Sequence, residues 1–350
     1  MEALNGIKIV DFTRLLPGPL ATLMLGQMGA EIIKVESPKR MDYARYEGFQ
    51  VDGASSLFHQ LNHNKTNLTV DYSLPEGKET LLNLVKTADV LIEQFRPGAM
   101  ASWGLGYDAI KAINPGIVYV SLTGFGQQGV YRNTAGHDMN YLATAGLLSL
   151  NKDDKGKPVV PGFQLADICG GAYMIIVSMQ TALIQKLRTG EGRFVDVNMT
   201  QGVMPLLTFP LSVMNAGLVP EQMNILNGKL AANYTVYECA DGKWLSMAAL
   251  EPKFWKRVCE LIGKEEWATY NQMQLLNIVF PKAELEAIFK SKTRDEWATV
   301  FEGEDVCVAP ILEIEELQAL PYHQENQSFY DFETPNGTTL KGIGLPFSIQ

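Results

Sequence analysis

Three alternations of strand-like and helical segments within the first 125 residues predict an α/β fold on a mostly parallel sheet with covered faces. A change of pattern near Leu218, where a hairpin signal precedes two helical stretches, predicts a smaller α+β domain. The expected division is a large domain of residues 1–217 and 305–350 and a small one of 218–304, in a chain of 350 residues that is long enough for roughly two domains.

The first alternation opens with IKIVDF at 7–12, a short buried strand, followed by the turn-rich TRLLPGP and a helix over 21–28. Gly29 ends that helix, and EIIKVE at 31–36 returns as a strand. The second runs from NLTVDY at 67–72 through a helix at 75–87 to DVLIEQF at 89–95. A short helix over 107–113 then leads into GIVYVSLTGF at 116–125. Ile168 to Leu187 is rich in Ala, Met, Ile and Leu and closes on Lys186, Arg188 and Gly190, as suits a buried helix with cations in its last turn. FVDVNM at 194–199 is another strand. Beyond it, YTVYECADGKWLSMAAL at 234–250 divides at Asp241-Gly242 into a hairpin, and helices are expected near 252–262 and 283–301.

Composition narrows the class. A net charge of −10 argues against nucleic acid as a partner, since phosphate binding needs a dense positive field. No apolar run reads as approaching the roughly 20 residues that span a bilayer. The opening MEALNGIKIVDF resembles neither a signal peptide nor a transit peptide, so a cytoplasmic protein without a membrane partner is expected. Cys169, Cys239, Cys259 and Cys307 form no CxxC pair and read as buried, reduced thiols. The patterns GxxxxGK[ST], GxGxxG and GxSxG are absent, which argues against an ATPase, a dinucleotide dehydrogenase or a serine hydrolase.

His59 and His63 have the i, i+4 spacing of two metal ligands on one helix face, yet no third ligand stands nearby and no metal is expected. His137 lies in AGHDMNYLATAG, at the start of a helix whose free N–H groups and positive dipole end favour a developing anion. Asp138 reads as the cap of that helix. By itself His137 is open between a satisfied surface residue and a base. Asp167, in FQLADICGGAY, reads either as an N-cap or as a carboxyl tuned by burial to exchange a proton. Glu251, in ALEPKFW, opens a helix, where acidic residues are common. Met199, Met204, Met214 and Met223 lie in or beside an apolar stretch that reads as core or as an adaptable apolar surface.

Taken in order, LNGIKIVDFTRLLPGPLATLMLGQMGAEIIKVESP, ADVLIEQFRPGAMASWGLGYDAIKAINPGIVYVSLTGFGQQG, AGHDMNY, LADICGGAY and YECADGKWLSMAALEPKFW resemble the class III CoA-transferase family, also called CaiB/BaiF. The GHD-Asn-Tyr motif resembles its α-methylacyl-CoA racemase branch. The resemblance implies a large Rossmann-like domain, a small domain, and a homodimer of two intertwined chains. It implies an acyl-CoA substrate, with coenzyme A as part of that substrate and no separate cofactor. It also implies that His137 with Asp138, Asp167 and Glu251 form the catalytic set, Glu251 pairing with the histidine across the two chains. CoA contacts are implied for Val70, Asp71, Tyr72 and Ser73, for Gln94, Phe95 and Arg96, and for Gly136 and Tyr141. Ser37 and Ser102 stand where the family carries basic residues, and Lys39 or Arg40 is expected to substitute for the first.

For a racemase, His137 and Asp167 would serve the two faces of the α-carbon, and backbone N–H groups near a helix start would hold the enolate oxygen. Two other functions remain open from the residues. One is CoA transfer with Asp167 as nucleophile, although the glycine-rich loop of such enzymes is not seen at 220–260. The other is CoA binding without turnover.

Overall fold

The computed structural model describes residues 2–219 and 225–349. It divides into two compact units, residues 1–206 with 321–350 and residues 207–320.

The first unit is built on six parallel strands in the order β5-β2-β1-β6-β7-β8. These are β1 (Lys8–Asp11), β2 (Glu31–Glu36), β5 (Thr66–Thr69), β6 (Val90–Glu93), β7 (Val118–Thr123) and β8 (Phe194–Asn198). The short β3 (Gln50–Val51) and β4 (Ala54–Ser55) form a separate two-stranded ribbon. Successive side chains on a strand point to opposite faces. Accordingly, Ile9 and Ile92 join one buried cluster, while Val10 and Leu91 join another on the other face. Helices α1 (Pro17–Gln27) and α7 (Tyr173–Thr189) supply the first cluster, with Leu25, Ile175 and Met179. Helices α3 (Pro75–Val85) and α5 (Tyr107–Ile113) supply the second, with Leu81, Val85 and Ile110. Both faces are thereby covered over the central strands, which is why β6 and β7 read as largely apolar runs while the edge strands β5 and β8 do not.

Helix α1 starts four residues before the expected position because Pro17, with its fixed φ and no N–H to lose, occupies its first turn. Gly29, at φ 102°, follows the cap as expected. The apolar stretch after residue 166 differs more. It begins as a π-helical segment, Ala166–Ala172, before continuing as α7. Here the backbone of the segment lies directly on α8 (Met199–Gly202): a Cβ added to Gly170 would stand 2.4 Å from Met199 O, and one on Gly202 2.4 Å from Gly170 O. Ala166–Thr189 is also long and apolar enough to cross a bilayer by length and composition, with a mean hydropathy of 1.4, contrary to the sequence expectation. Its inner face belongs to the buried sheet cluster, so it is a core helix of this unit.

The second unit carries the hairpin β9 (Tyr234–Glu238) and β10 (Trp244–Ala248), turned at Asp241-Gly242 with Gly242 at φ 77°. A third strand, β11 (Val308–Pro310), pairs antiparallel to β10. That pairing carries the unit past the expected boundary at 304/305, and the division falls at 206/207 and 320/321 where 217/218 and 304/305 were expected. The helix expected over 283–301 is two helices, Lys282–Phe289 and Arg294–Phe301. Thr293 caps the second, its hydroxyl accepting from Glu296 N–H at 3.3 Å while Glu296 accepts from Thr293 N–H at 2.8 Å.

The chain then returns to the first unit as a hairpin, β12 (Phe329–Glu333) and β13 (Thr339–Ile343), which the sequence reading does not anticipate. Tyr330 Oη from this hairpin lies 2.8 Å from His63 Nε2 and accepts from Gln27 Nε2 at 2.8 Å. His59 Nε2 lies 2.8 Å from Val51 O, so both histidines of the i, i+4 pair have protein partners. All four thiols are free, but only Cys239 and Cys259 are buried; Cys169 is half-buried and Cys307 exposed.

Candidate active site

In a parallel sheet, ligands enter outside the carboxyl ends of the strands, where the strand order reverses direction. That point lies between β1 and β6, since β1, β2 and β5 run outward to one edge and β6, β7 and β8 to the other. A cavity of about 340 Å³ opens there within the first unit. Leu15 and Pro17 reach it from the turn after β1, Gln94, Phe95 and Arg96 from the turn after β6, and Gly124 and Phe125 from that after β7. His137, Tyr141 and Asp167 complete it, all from the long crossover between Thr123 and Phe194 that joins the adjacent strands β7 and β8.

His137 caps α6 (Asp138–Thr144) with extended backbone, and its N–H donates to Asn140 Oδ1 at 3.1 Å. The imidazole is exposed at the cavity. Asp138 is therefore the first residue of α6, and its carboxylate serves a different helix from the one expected. Its Oδ1 accepts the N–H groups of Ala166 at 2.6 Å and Asp167 at 2.9 Å, holding the start of the π-helical segment. Asp167 is not an N-cap, since Leu165 occupies that position. Burial, followed by the nearby charge of Asp138, pushes the Asp167 carboxyl up to about 7. The same arrangement consumes two backbone donors at a helix start, so neither is free to hold an enolate oxygen.

Tyr141 is buried, and its hydroxyl donates to Gly136 O. Burial and then the charge of Asp167 push that hydroxyl up to about 12. Two glycines make room for the ring, because a Cβ on Gly124 would approach it to 2.3 Å and one on Gly136 to 2.7 Å.

Of the residues singled out from sequence, the structure brings Gln94, Phe95, Arg96, Gly136, His137, Tyr141 and Asp167 to one cavity. Others lie outside its lining. Lys39 pairs with Asp71 at 2.9 Å and donates to Ser73 Oγ at 3.1 Å. With the Ser73 hydroxyl and Lys39 bonded to it, Asp71 is held down at about 2. Arg40 lies 5.2 Å from the centre of the Trp103 ring, which meets Tyr72 at 5.1 Å and Phe95 at 5.0 Å. This strip of guanidinium and aromatic groups reaches the cavity through Phe95. Val70 continues β5 in hydrogen bonding, its N–H donating to Glu36 O at 2.8 Å. Ser37 is buried and Ser102 exposed. Glu251 belongs to the second unit, exposed at the cap of the helix Pro252–Leu261. Met199 lines the cavity, whereas Met204 and Met214 are exposed and Met223 lies outside the described residues.

Sequence reasoning missed Leu15, Tyr43, Arg132 and Thr134 as lining residues. Arg132 and Thr134 stand just before the GHD motif, and that proximity was the available signal. Tyr43 carried none, because only the turn around Asp42 brings it to the cavity.

Comparison with known proteins identifies the family. The family model described as CoA-transferase family III matches residues 4–350. The chain is 34% identical to human alpha-methylacyl-CoA racemase over 334 residues, covering 95% of this chain and 83% of the relative. It is 32% identical to succinate–glutarate CoA-transferase of Agrobacterium fabrum, covering 98% and 88%. Among solved structures, a CaiB/BaiF family protein from Brucella suis superposes with a TM-score of 0.84 at 30% identity, over 99% of this chain and 92% of that one. With a matching family model along almost its whole length and the same parallel-sheet architecture in a solved relative, the chain belongs to CoA-transferase family III, the CaiB/BaiF family.

Proposed function

We propose that this chain is an acyl-CoA racemase, inverting the α-carbon of a 2-methylacyl-CoA-type thioester by proton transfer through an enolate. The observation that carries the reading is the pairing, in one cavity, of an imidazole with a carboxyl whose charged neighbour is another carboxylate. Near neutral pH such a carboxyl is divided between acid and base forms, as a group that both takes and returns a proton must be. A nucleophilic carboxylate, by contrast, gains from full ionisation.

In one direction neutral His137 removes the α-proton, the electron pair moves onto the thioester oxygen, and protonated Asp167 delivers its proton to the opposite face. The reverse direction starts from ionised Asp167 and the His137 imidazolium. Asp138 positions Asp167 by its hold on two amides. Two intertwined chains would set Glu251 of the partner subunit beside His137, to orient the ring and stabilise its cation. Lys39, Arg40, Val70–Ser73 and Arg96 would meet the nucleotide and pantetheine parts of the substrate. A cytoplasmic setting with a soluble thioester substrate suits this chemistry.

The test is incubation with a 2-methylacyl-CoA in deuterated water without any acceptor acid, following the α-proton by NMR. Exchange that disappears in His137→Ala and Asp167→Ala is expected. CoA transfer to an added carboxylic acid, with no exchange, would instead make Asp167 a nucleophile and overturn the reading.

A further inference from the structure

Leu15 has φ 64°, in the left-handed region that glycine enters freely and leucine rarely does. A strained residue persists only where its surroundings over-determine it, and here they do. Leu15 N–H donates to Asp42 Oδ1 at 3.0 Å. Asp42 is fully buried and paired with equally buried Lys34 at 3.0 Å, whose ammonium also donates to Thr13 O at 2.8 Å. Asp11 Oδ1 accepts from Thr13 N–H at 2.8 Å, and Gln94 Nε2 donates to Arg14 O at 2.7 Å. Side chains from two strands, β1 and β2, and from two turns thus fix residues 13–15.

Glycine would make the same turn without strain, so the turn alone does not account for leucine. The side chain has two neighbours. On one side it packs against the small buried cluster of Ala44, Ala54 and Phe58. On the other it lines the cavity shared by His137 and Asp167. Tyr43 lines the same cavity, and its turn is capped by the same carboxylate, with Ala44 N–H donating to Asp42 Oδ1 at 3.0 Å. Asp42 therefore places two wall residues at once. At about 340 Å³ the cavity is at the small end for ligand sites, so the bulk of a single wall side chain bears on what it admits.

We infer that Leu15, held left-handed by Asp42 and Lys34, is the residue that limits the size of the acyl group admitted beside His137 and Asp167, and that the chain selects short acyl thioesters over long ones. The inference rests on the acyl-CoA reading of this cavity, and Asp42 and Lys34 enter it as positioning residues. Leu15→Gly keeps the backbone conformation and removes the wall together with its packing on Ala44, Ala54 and Phe58, and Leu15→Phe enlarges the wall.

The experiment measures Kd by calorimetry for 2-methylbutanoyl-CoA and 2-methyldecanoyl-CoA, with α-deuterium exchange of both in parallel. In Leu15→Gly the preference for the short thioester should fall about tenfold, in a chain whose cooperative melting transition shows it folded, the strain relieved at residue 15 offsetting part of the packing lost to Ala44, Ala54 and Phe58. In Leu15→Phe the preference should rise. An unchanged Kd ratio in both folded variants overturns the inference, even if exchange proceeds. A shifted Kd ratio without exchange in any form upholds Leu15 as the wall and sinks the racemase reading instead.

Discussion

Two aspartates of the first unit, Asp11 and Asp167, occupy opposite electrostatic settings. Asp11 is fully buried at the end of β1, where Lys65 Nζ lies 3.3 Å from its Oδ2 and the hydroxyls of Thr13 and Thr22 donate to it. Burial alone would raise its carboxyl, yet Lys65, Lys34 and the two hydroxyls hold it below the ordinary value. Asp167, by contrast, is raised to about 7 by its burial first and by the charge of Asp138 second. The first arrangement satisfies a charge and fixes a turn. The second leaves a proton available at neutral pH, the condition expected where chemistry occurs.

The contrast predicts opposite outcomes for the same substitution. Asp167→Asn should lower α-proton exchange by about 10²–10⁴ while leaving thermal stability unchanged or higher, because it removes a charge without a cationic partner. Asp11→Asn should do the reverse. It leaves Lys65 buried without its counter-charge, at a cost of about 3–5 kcal/mol, readable as a shifted denaturant midpoint. If Asp167→Asn unfolds the chain and Asp11→Asn does not, the distinction between the two settings fails.

Removing the charge of Asp138 sharpens the comparison. Asp138→Asn keeps an oxygen for the amides of Ala166 and Asp167 but lifts the repulsion on Asp167. The pH profile of exchange should move to lower pH, with roughly tenfold loss of rate at neutrality, at least about tenfold less than a lost proton donor costs. A profile that stays in place would mean that burial alone sets Asp167.

Stability should follow the same group. With its carboxyl raised from 3.8 to about 7, folded Asp167 holds a proton that the unfolded chain releases across that interval. Stability from this group is full below about pH 4 and lost as pH rises toward 7. Denaturation series should show that slope in the parent chain and a flatter one in Asp167→Asn. The smallest effect is expected at Lys39→Ala. Its pair with Asp71 is exposed, and such pairs contribute about 0.2–1 kcal/mol, so the melting temperature should barely move. CoA affinity should still fall about threefold if Lys39 meets a phosphate, measured by calorimetry.

What the sequence made legible was what local patterning encodes. The strands EIIKVE and FVDVNM, the helix at 107–113 and the Asp241-Gly242 turn were all readable because periodicity and turn chemistry are local. The π-helical start before α7 was not, because it follows from backbone contact between Gly170 and Gly202, residues distant in sequence. The break before Thr293 was readable in principle from its capping pair with Glu296. For the site, His137 and Asp167 stood out by motif and the structure places both in one cavity. Leu15 and Tyr43 could not be read, since their placement depends on the buried Asp42 carboxylate, whose partners come from the turn after β1, from Lys34 on β2 and from its own turn. Asp138 was noticed but assigned to its own helix, because sequence spacing does not show which amides a side chain will reach.

The crossover between β7 and β8 has a consequence for how the chain acquires activity as it folds. His137 and Asp167, the residues proposed to transfer protons, sit inside one loop whose ends become hydrogen-bonded neighbours only when Phe194–Asn198 docks on Val118–Thr123. Closing a long loop is mainly an entropic cost met before its contacts reward it, and non-local strand pairings of this kind are slow. The sheet's other strands can assemble while His137 and Asp167 are still far apart. Catalytic competence should therefore return late in refolding, after most of the secondary structure, and a bound thioester bridging the two residues would favour the closed loop over the open one.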